Sequence, residues 1–300
     1  MSHSKTQYDP AASPDFLPVM RVSYEFFMRS FDLLGQLHED AISASIIMTL
    51  WHGRLVGPRR KPMAVRELSR ELNLPYETVR RHVRNLEQSG ACVVKEGGRA
   101  VPDAMPGSAR ASRLLRKIYV NAVRLLVDLT RIGAVAFPSA SRRPPPSERL
   151  TKEQMVIVIA AMGFLLAGVR LMRDFWGGDL VKGLVFTAIW TANVKHVTNT
   201  SRAATSSMLP DDLRQPVSVL AISRSLRLPY ETVRRHADVL VRDGLSARAG
   251  RRGVFVPTHV AKGTIAGSVA GHRLVMAFLD ELRRGADEGL RPVCVWSRAR

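Results

Sequence analysis

The sequence predicts a mainly α-helical protein with small β-hairpins, built by tandem duplication. Three observations predict it. The nonapeptide LPYETVRRH stands at residues 74–82 and again at 228–236, 154 residues later in a chain of 300. Apolar residues recur at three- and four-residue spacing through most other segments, the period of a helix with one buried face. Each nonapeptide is followed by short β-prone runs, ACVVKEGGRAVP at 91–102 around an expected Gly97–Gly98 turn and SARAGRRGVFVP at 246–257.

The repeat extends beyond the nonapeptide. The same offset pairs Pro62 with Pro216, Val65 with Val219, Ser69 with Ser223, Arg70 with Arg224, Leu72 with Leu226, Leu86 with Leu240 and Gly90 with Gly244. Between the copies runs SASRRPPPSER, residues 139–149. Three prolines in a row cannot continue a helix and favour a semi-rigid extended spacer. The expected organisation is a flexible tail at 1–17, a first repeat at 18–138, the Pro-rich linker at 139–149 and a second repeat at 150–300.

In the first repeat, Met20, Tyr24, Phe27, Phe31 and Leu34 mark an amphipathic helix near 18–34. A second apolar helix over Ala41 to Leu55 is closed by Gly53, Gly57 and Pro58. The second repeat opens on greasier segments, MVIVIAAMGFLLAGV at 155–169 and LVKGLVFTAIWTANV at 180–194. The run of 15 is shorter than the ~20 residues that span a bilayer, and Arg170, Arg173 and Asp174 follow at once. A helix buried on all sides accounts for it better than a membrane span. Gly163 and Ala167 would allow close helix approach, within the fold or in a homodimer. Trp51 and Trp190 are candidates for equivalent positions. After each β-prone segment comes another helix, at 110–133 with Leu115, Ile118, Tyr119, Ala122, Leu125, Leu126 and Leu129 on one face, and a shorter one at about 264–284.

Val65, Leu68, Leu72 and Leu74 stripe a short helix and its exit turn. A second helix starts at Pro75, where a missing N–H costs nothing. Val79, Val83 and Leu86 face inward; Tyr76, Glu77, Arg80, Arg81 and Arg84 face out; Gly90 is the expected C-terminal cap. The second copy repeats the plan with Val219, Ile222, Leu226 and Leu228, then a helix from Pro229 to about Arg242 and Gly244. Helix, turn, helix and basic hairpin resemble the winged helix-turn-helix of bacterial transcription regulators, over residues 61–103 and 215–258. Within that class, Glu-Thr-Val-x-Arg is similar to the recognition helix of the cyclic-AMP receptor protein family. That resemblance implies base reading by Glu77 with Arg81 and by Glu231 with Arg235. No Gly-rich β-roll precedes the motif, so the nucleotide ligand of that family is not implied.

The chemistry agrees. A recognition helix presents its N-terminal residues to base edges in the major groove. Arg bonds guanine O6 and N7 bidentately and Glu accepts from cytosine N4. Tyr76, Glu77, Arg80, Arg81, Tyr230, Glu231, Arg234 and Arg235 are therefore the candidate base-reading set. Thr78, Arg84 and Thr232, with Lys95, Arg99, Arg248, Arg251 and Arg252 of the hairpins, are candidates for the DNA backbone. The ordinary alternatives are a Glu77–Arg81 surface pair, tyrosines that only cover the turn, and a helix-turn-helix used for protein contact. His82 and His236 read as packing or phosphate neighbours rather than metal ligands, and the cysteines Cys92 and Cys294 as buried small hydrophobes.

A formal net charge of +19 favours a polyanionic partner. The excess divides almost evenly, +9 over residues 1–147 and +10 over 148–300. Two copies in one chain could meet two similar half-sites, an imperfect inverted repeat if the halves pack about a twofold axis, a direct repeat if the linker lets them follow one another. A homodimer with four heads remains compatible. Neither a phosphate loop, a Gly-x-Ser-x-Gly elbow nor His-Glu-x-x-His is present. The expectation is a cytoplasmic, nucleoid-associated DNA-binding transcription regulator that is not an enzyme, uses no metal or other cofactor and has no membrane partner. A replication initiator or chromosome-architecture protein is the alternative. Phe175, Trp176, Phe186 and Trp190 could enclose a small hydrophobic effector, and core packing alone would also explain them.

Overall fold

Among the residues described by the computed structural model (13, 15–38, 40–57, 62–103, 105, 108–135, 149–198, 208–250 and 253–287), eleven α-helices carry two short antiparallel ladders. The first half holds α1 (Phe16–Leu34), α2 (Ala41–Val56), α3 (Val65–Glu71), α4 (Tyr76–Gln88), β1 (Val93–Lys95), β2 (Gly98–Ala100) and α5 (Ala109–Arg131). The second holds α6 (Lys152–Phe175), α7 (Leu180–Thr198), α8 (Val219–Leu226), α9 (Tyr230–Arg242), β3 (Ala247–Arg248), β4 (Val254–Phe255), α10 (Thr258–Gly263) and α11 (Ile265–Asp287). Nearly all of the expected tail, the linker up to residue 148, Arg251, Arg252 and Cys294 lie outside the described residues.

Helix starts follow from short polar side chains placed just before apolar runs. Asp40 accepts from the Ser43 and Ile42 amides at the head of α2. Ser108 caps α5 and Ser218 caps α8. Thr151 and Gln154 cap one another's backbone in a reciprocal capping box on α6. The expected inward faces are buried: Leu115, Ile118, Tyr119, Ala122, Leu125, Leu126 and Leu129 on α5, and Met20, Phe27, Phe31 and Leu34 on α1. Two expectations need correction. The helix after the second hairpin is not shorter than its counterpart, since α5 and α11 each span 23 residues. The hairpin turn of the first half is Glu96–Gly97 rather than Gly97–Gly98, because Lys95 pairs with Gly98 in the ladder.

Gly98 has a different task. Strand β2 lies against Met63, with amide–carbonyl bonds in both directions at 2.8 and 2.9 Å. A Cβ on Gly98 would sit 2.4 Å from the Met63 carbonyl, and one on Gly253 would sit 2.2 Å from the Val217 oxygen. Each hairpin can therefore pack on the segment before its helix pair only with glycine there. Gly98→Val should lower stability by about 1–3 kcal/mol, since backbone cannot yield as a side-chain tip can; chemical denaturation of the variant measures it.

The two halves share a single core. Helix α1 packs on α5 of its own half, and also on α7 and α11 of the other; α6 packs on α11 of its own half, and also on α2 and α5. Exchanging the halves (α1 with α6, α2 with α7, α5 with α11) maps these contacts onto one another. That reciprocity is what an internal twofold relation produces. Phe26 of α1 stacks on Phe164 of α6 with centroids 5.4 Å apart, and Phe164 on Phe278 of α11 at 5.2 Å. Helix α6, whose most apolar stretch of 18 residues has mean hydropathy 2.3, is long and apolar enough to cross a membrane by length and composition. Two of its small residues face neighbours within the chain: Gly163 faces His52 of α2, and a Cβ on Gly168 would meet the Phe27 ring at 2.4 Å.

Candidate nucleic-acid interface

Both copies build the same turn by the same bonds. Ser69 Oγ donates to the Leu74 carbonyl at 2.6 Å, and Ser223 Oγ to that of Leu228 at 2.7 Å. Asn73 and Arg227, again 154 residues apart, adopt left-handed φ of 50° and 52° between the helices. Pro75 and Pro229 then stand at the N-cap with φ −53° in each case, and Tyr76 and Tyr230 begin the helices. Val79, Val83 and Leu86 on α4, like Val233, Ala237 and Leu240 on α9, are buried at 0–1 % exposure. Gly90 and Gly244 follow the helices at φ 71° and 72°.

The opposite faces stay in solvent. Tyr76 is 44 % exposed and Tyr230 45 %. Glu77 accepts from Arg80 Nε at 2.9 Å, and Glu231 from Arg234 Nε at 2.9 Å. The alternative of a Glu77–Arg81 surface pair is not what forms; an i,i+3 pair takes its place in both copies. Arg81 and Arg235 are exposed and have no hydrogen bond or ion pair among the described residues. Arg84 is exposed too; its counterpart in the second copy is Asp238, which holds both Arg234, at 3.0 Å, and Arg248. The second face is therefore less positive and its Arg234 more constrained. Thr78 and Thr232 lie half-buried in the first turns of α4 and α9.

The hairpin cations are less available than their sequence suggests. Lys95 Nζ sits 2.8 Å from both Asp103 carboxylate oxygens, and Arg99 Nε donates to Glu87 Oε1 at 2.7 Å. Arg248 donates to Asp238. These pairs brace the hairpins, and Arg99 and Arg248 tie them to the preceding helix. A further set of cations, Arg113, Arg116, Lys117 and Arg124 of α5 with Arg29 and Lys195, lines a cleft of about 920 Å³ between α1, α5, α7 and α8.

His82 and His236 fix the exposed helices to the core. His82 Nδ1 lies 2.8 Å from Asp40 Oδ2 and 3.0 Å from Ser43 Oγ at the head of α2. His236 donates from Nδ1 to the Thr232 carbonyl at 2.7 Å, and its Nε2 is 3.7 Å from Asp179, which caps α7 through the Lys182 amide. Asp40 and Asp179 are 139 residues apart, the separation of Trp51 and Trp190. Burial pushes the Asp40 carboxyl up, but hydrogen bonds from Ser43 and Ile42 and the charge of His82 outweigh it and leave the group below its usual 3.8. A carboxyl depressed by folding stabilises above its unfolded pKa and loses that contribution as pH falls through the folded value. Asp40→Ala should cost about 1 kcal/mol at pH 7. The difference from wild type should shrink below pH 3.8, which paired denaturation curves would record.

No family model, curated protein or solved structure matches the chain. The site therefore rests on its own geometry. Among the described residues no group of three or more His, Cys, Asp or Glu could hold a metal. Cys92 is buried, and burial together with Glu87 raises its thiol to about 11.

The residues that sequence reading missed are those that tie each turn to the opposite half. Asn73 Nδ2 donates to Asp174 at the end of α6, and Arg227 Nε to Asp32 at the end of α1. Arg170 adds bonds to the Glu71 carbonyl at 3.1 Å and carboxylate at 2.7 Å. The four aromatic residues, Phe175, Trp176, Phe186 and Trp190, do come together on one cavity between α1, α6, α7 and α11.

Proposed function

We propose that the chain is a sequence-specific double-stranded DNA-binding transcriptional regulator that reads two similar half-sites with α4 and α9, each in a winged helix-turn-helix unit. One observation carries the reading. Two helices that begin with the same Tyr-Glu-Thr-Val-Arg-Arg-His are held by superimposable turn chemistry, bury the same face and leave the same Tyr, Glu and two Arg in solvent. A surface pair serving only solubility has no need of the same two-helix support twice.

The reciprocal packing favours an imperfect inverted repeat over a direct one, because related heads on a twofold meet the two strands in opposite senses. One chain then does what a homodimer ordinarily does, and tethering raises the effective concentration of the second head once the first is bound. The unlike counterparts Arg84 and Asp238 predict half-sites that differ at their flanks.

In vitro selection of bound DNA by the purified chain, repeated at several salt concentrations, tests this. The expected product is two related half-sites in opposite orientation, their centres ~34 Å apart or a multiple of it. A flat sequence preference with a steep salt dependence would replace regulation by architectural binding.

A further inference from the structure

The cavity behind the two heads has the character of a ligand site. It measures about 100 Å³ and is walled by Phe16, Met20, Tyr24, Phe27, Phe164 and the four aromatic residues named above, with Gly168, Gly267 and Gly271 exposing bare backbone to it. Among the described residues no charged side chain lines it. One wall residue, Ser23, is only 4 % exposed, and its hydroxyl makes no hydrogen bond among the described residues. A buried hydroxyl without a partner costs about 1–3 kcal/mol, so a guest that supplies one gains there. Phe175 is both cavity wall and surface, 43 % exposed, and marks the opening.

The walls also touch both reading units. The last turn of α6 runs from Arg170, Arg173 and Asp174, which grip Glu71, Leu72 and Asn73 in the first turn, directly into Phe175 and Trp176. Trp176 packs on Phe186 with centroids 4.8 Å apart and lies under Lys182 Nζ at 5.9 Å. The same ammonium bonds Asp243 at the end of α9, at 2.7 Å. A guest that displaces Trp176 therefore acts on the support of α4 through α6 and on the support of α9 through Lys182.

We propose that this cavity is an effector site for a small neutral aromatic molecule bearing one hydrogen-bonding group, and that its occupancy alters DNA affinity. The second half of the proposal rests on the DNA-binding reading; the first does not. Burial of an ion in such a site is disfavoured, and a cavity of about 150 Å³ holds benzene, so a single ring with a short polar arm, seated as Phe175 gives way, is the matching class.

The test uses benzyl alcohol as probe and benzoate as its charged counterpart, followed by calorimetry and tryptophan fluorescence without DNA. Saturable binding of benzyl alcohol is expected, with benzoate weaker by about tenfold or more. Ser23→Ala should weaken the probe by about 3–10-fold through loss of one hydrogen bond. Gly271→Leu, whose Cβ would already lie 2.9 Å from the Met20 methyl, should abolish binding by filling the space. Circular dichroism melts check that it folds; if it does not, Ser23→Ala decides. No saturable binding of benzyl alcohol, equal binding of benzoate, or full binding by the folded variants overturns the site. Saturating probe should shift wild-type affinity for the selected DNA by about fivefold or more, a coupling near 1 kcal/mol; an unchanged affinity overturns the coupling. Saturable probe binding by a chain that selects no DNA sequence would locate the failure in the DNA reading and leave the cavity standing.

Discussion

Alanine at Arg81 or Arg235 is expected to weaken binding to the selected DNA by about 1–3 kcal/mol, the worth of one bidentate contact to guanine. The double variant should lose roughly the sum, because in the proposed reading the residues serve different half-sites and they share no partner. These two positions are singled out by their freedom. Arg80 and Arg234 are each bonded to the glutamate three residues before them, whereas Arg81 and Arg235 face solvent with no bond or ion pair among the described residues. Fluorescence anisotropy at one fixed salt concentration measures the loss, and the same titration on unrelated DNA gives the control. Non-specific binding should fall only slightly, by the contribution of one phosphate-attracting charge. Arg84→Ala should behave differently, weakening all sequences alike. If the Arg81 and Arg235 variants bind the selected site as wild type does, the base-reading assignment is wrong.

Phe26→Ala is the second large effect. Phe26 is 1 % exposed on α1 of the first half and stacks on Phe164 in α6 of the second. Truncating a buried Phe costs about 3–5 kcal/mol. Because the leading helix of each half packs on helices of the other, that loss cannot be confined to the first half. Calorimetry should show a single endotherm for wild type and variant alike, displaced to lower temperature, with calorimetric and van 't Hoff enthalpies in agreement. Two separable transitions, with only one displaced, would contradict the shared core.

How far the sequence reveals this architecture depends on whether the signal is local. The nonapeptide, its flanking identities and the apolar stripes of α1, α4, α5 and α9 are periodic over a few turns, and the helices stand where those stripes place them. Short elements were not legible. Helix α10 has six residues between Pro257 and Thr264, and the 3-10 turn Asp211–Leu213 has three, too few to show a period. The exchange of leading helices was not legible either, since an apolar face records that it is buried and not by which half. The partners of the hairpin cations lie outside the hairpins, Asp103 just beyond the first and Glu87 and Asp238 within α4 and α9, so counting charge could not show Lys95, Arg99 and Arg248 to be braced. The 139-residue separation of Asp40 and Asp179 matches that of Trp51 and Trp190 and supports the alignment of α2 with α7.

The central claim is that one chain reads two half-sites, one with each helix. Hydroxyl-radical footprinting of wild type, Arg81→Ala and Arg235→Ala on the selected DNA tests it most directly. Wild type should protect two patches about one helical turn apart. Each single variant should lose protection of one patch, a different one in each case, and keep the other. A single protected patch in wild type, or loss of the same patch in both variants, would contradict it.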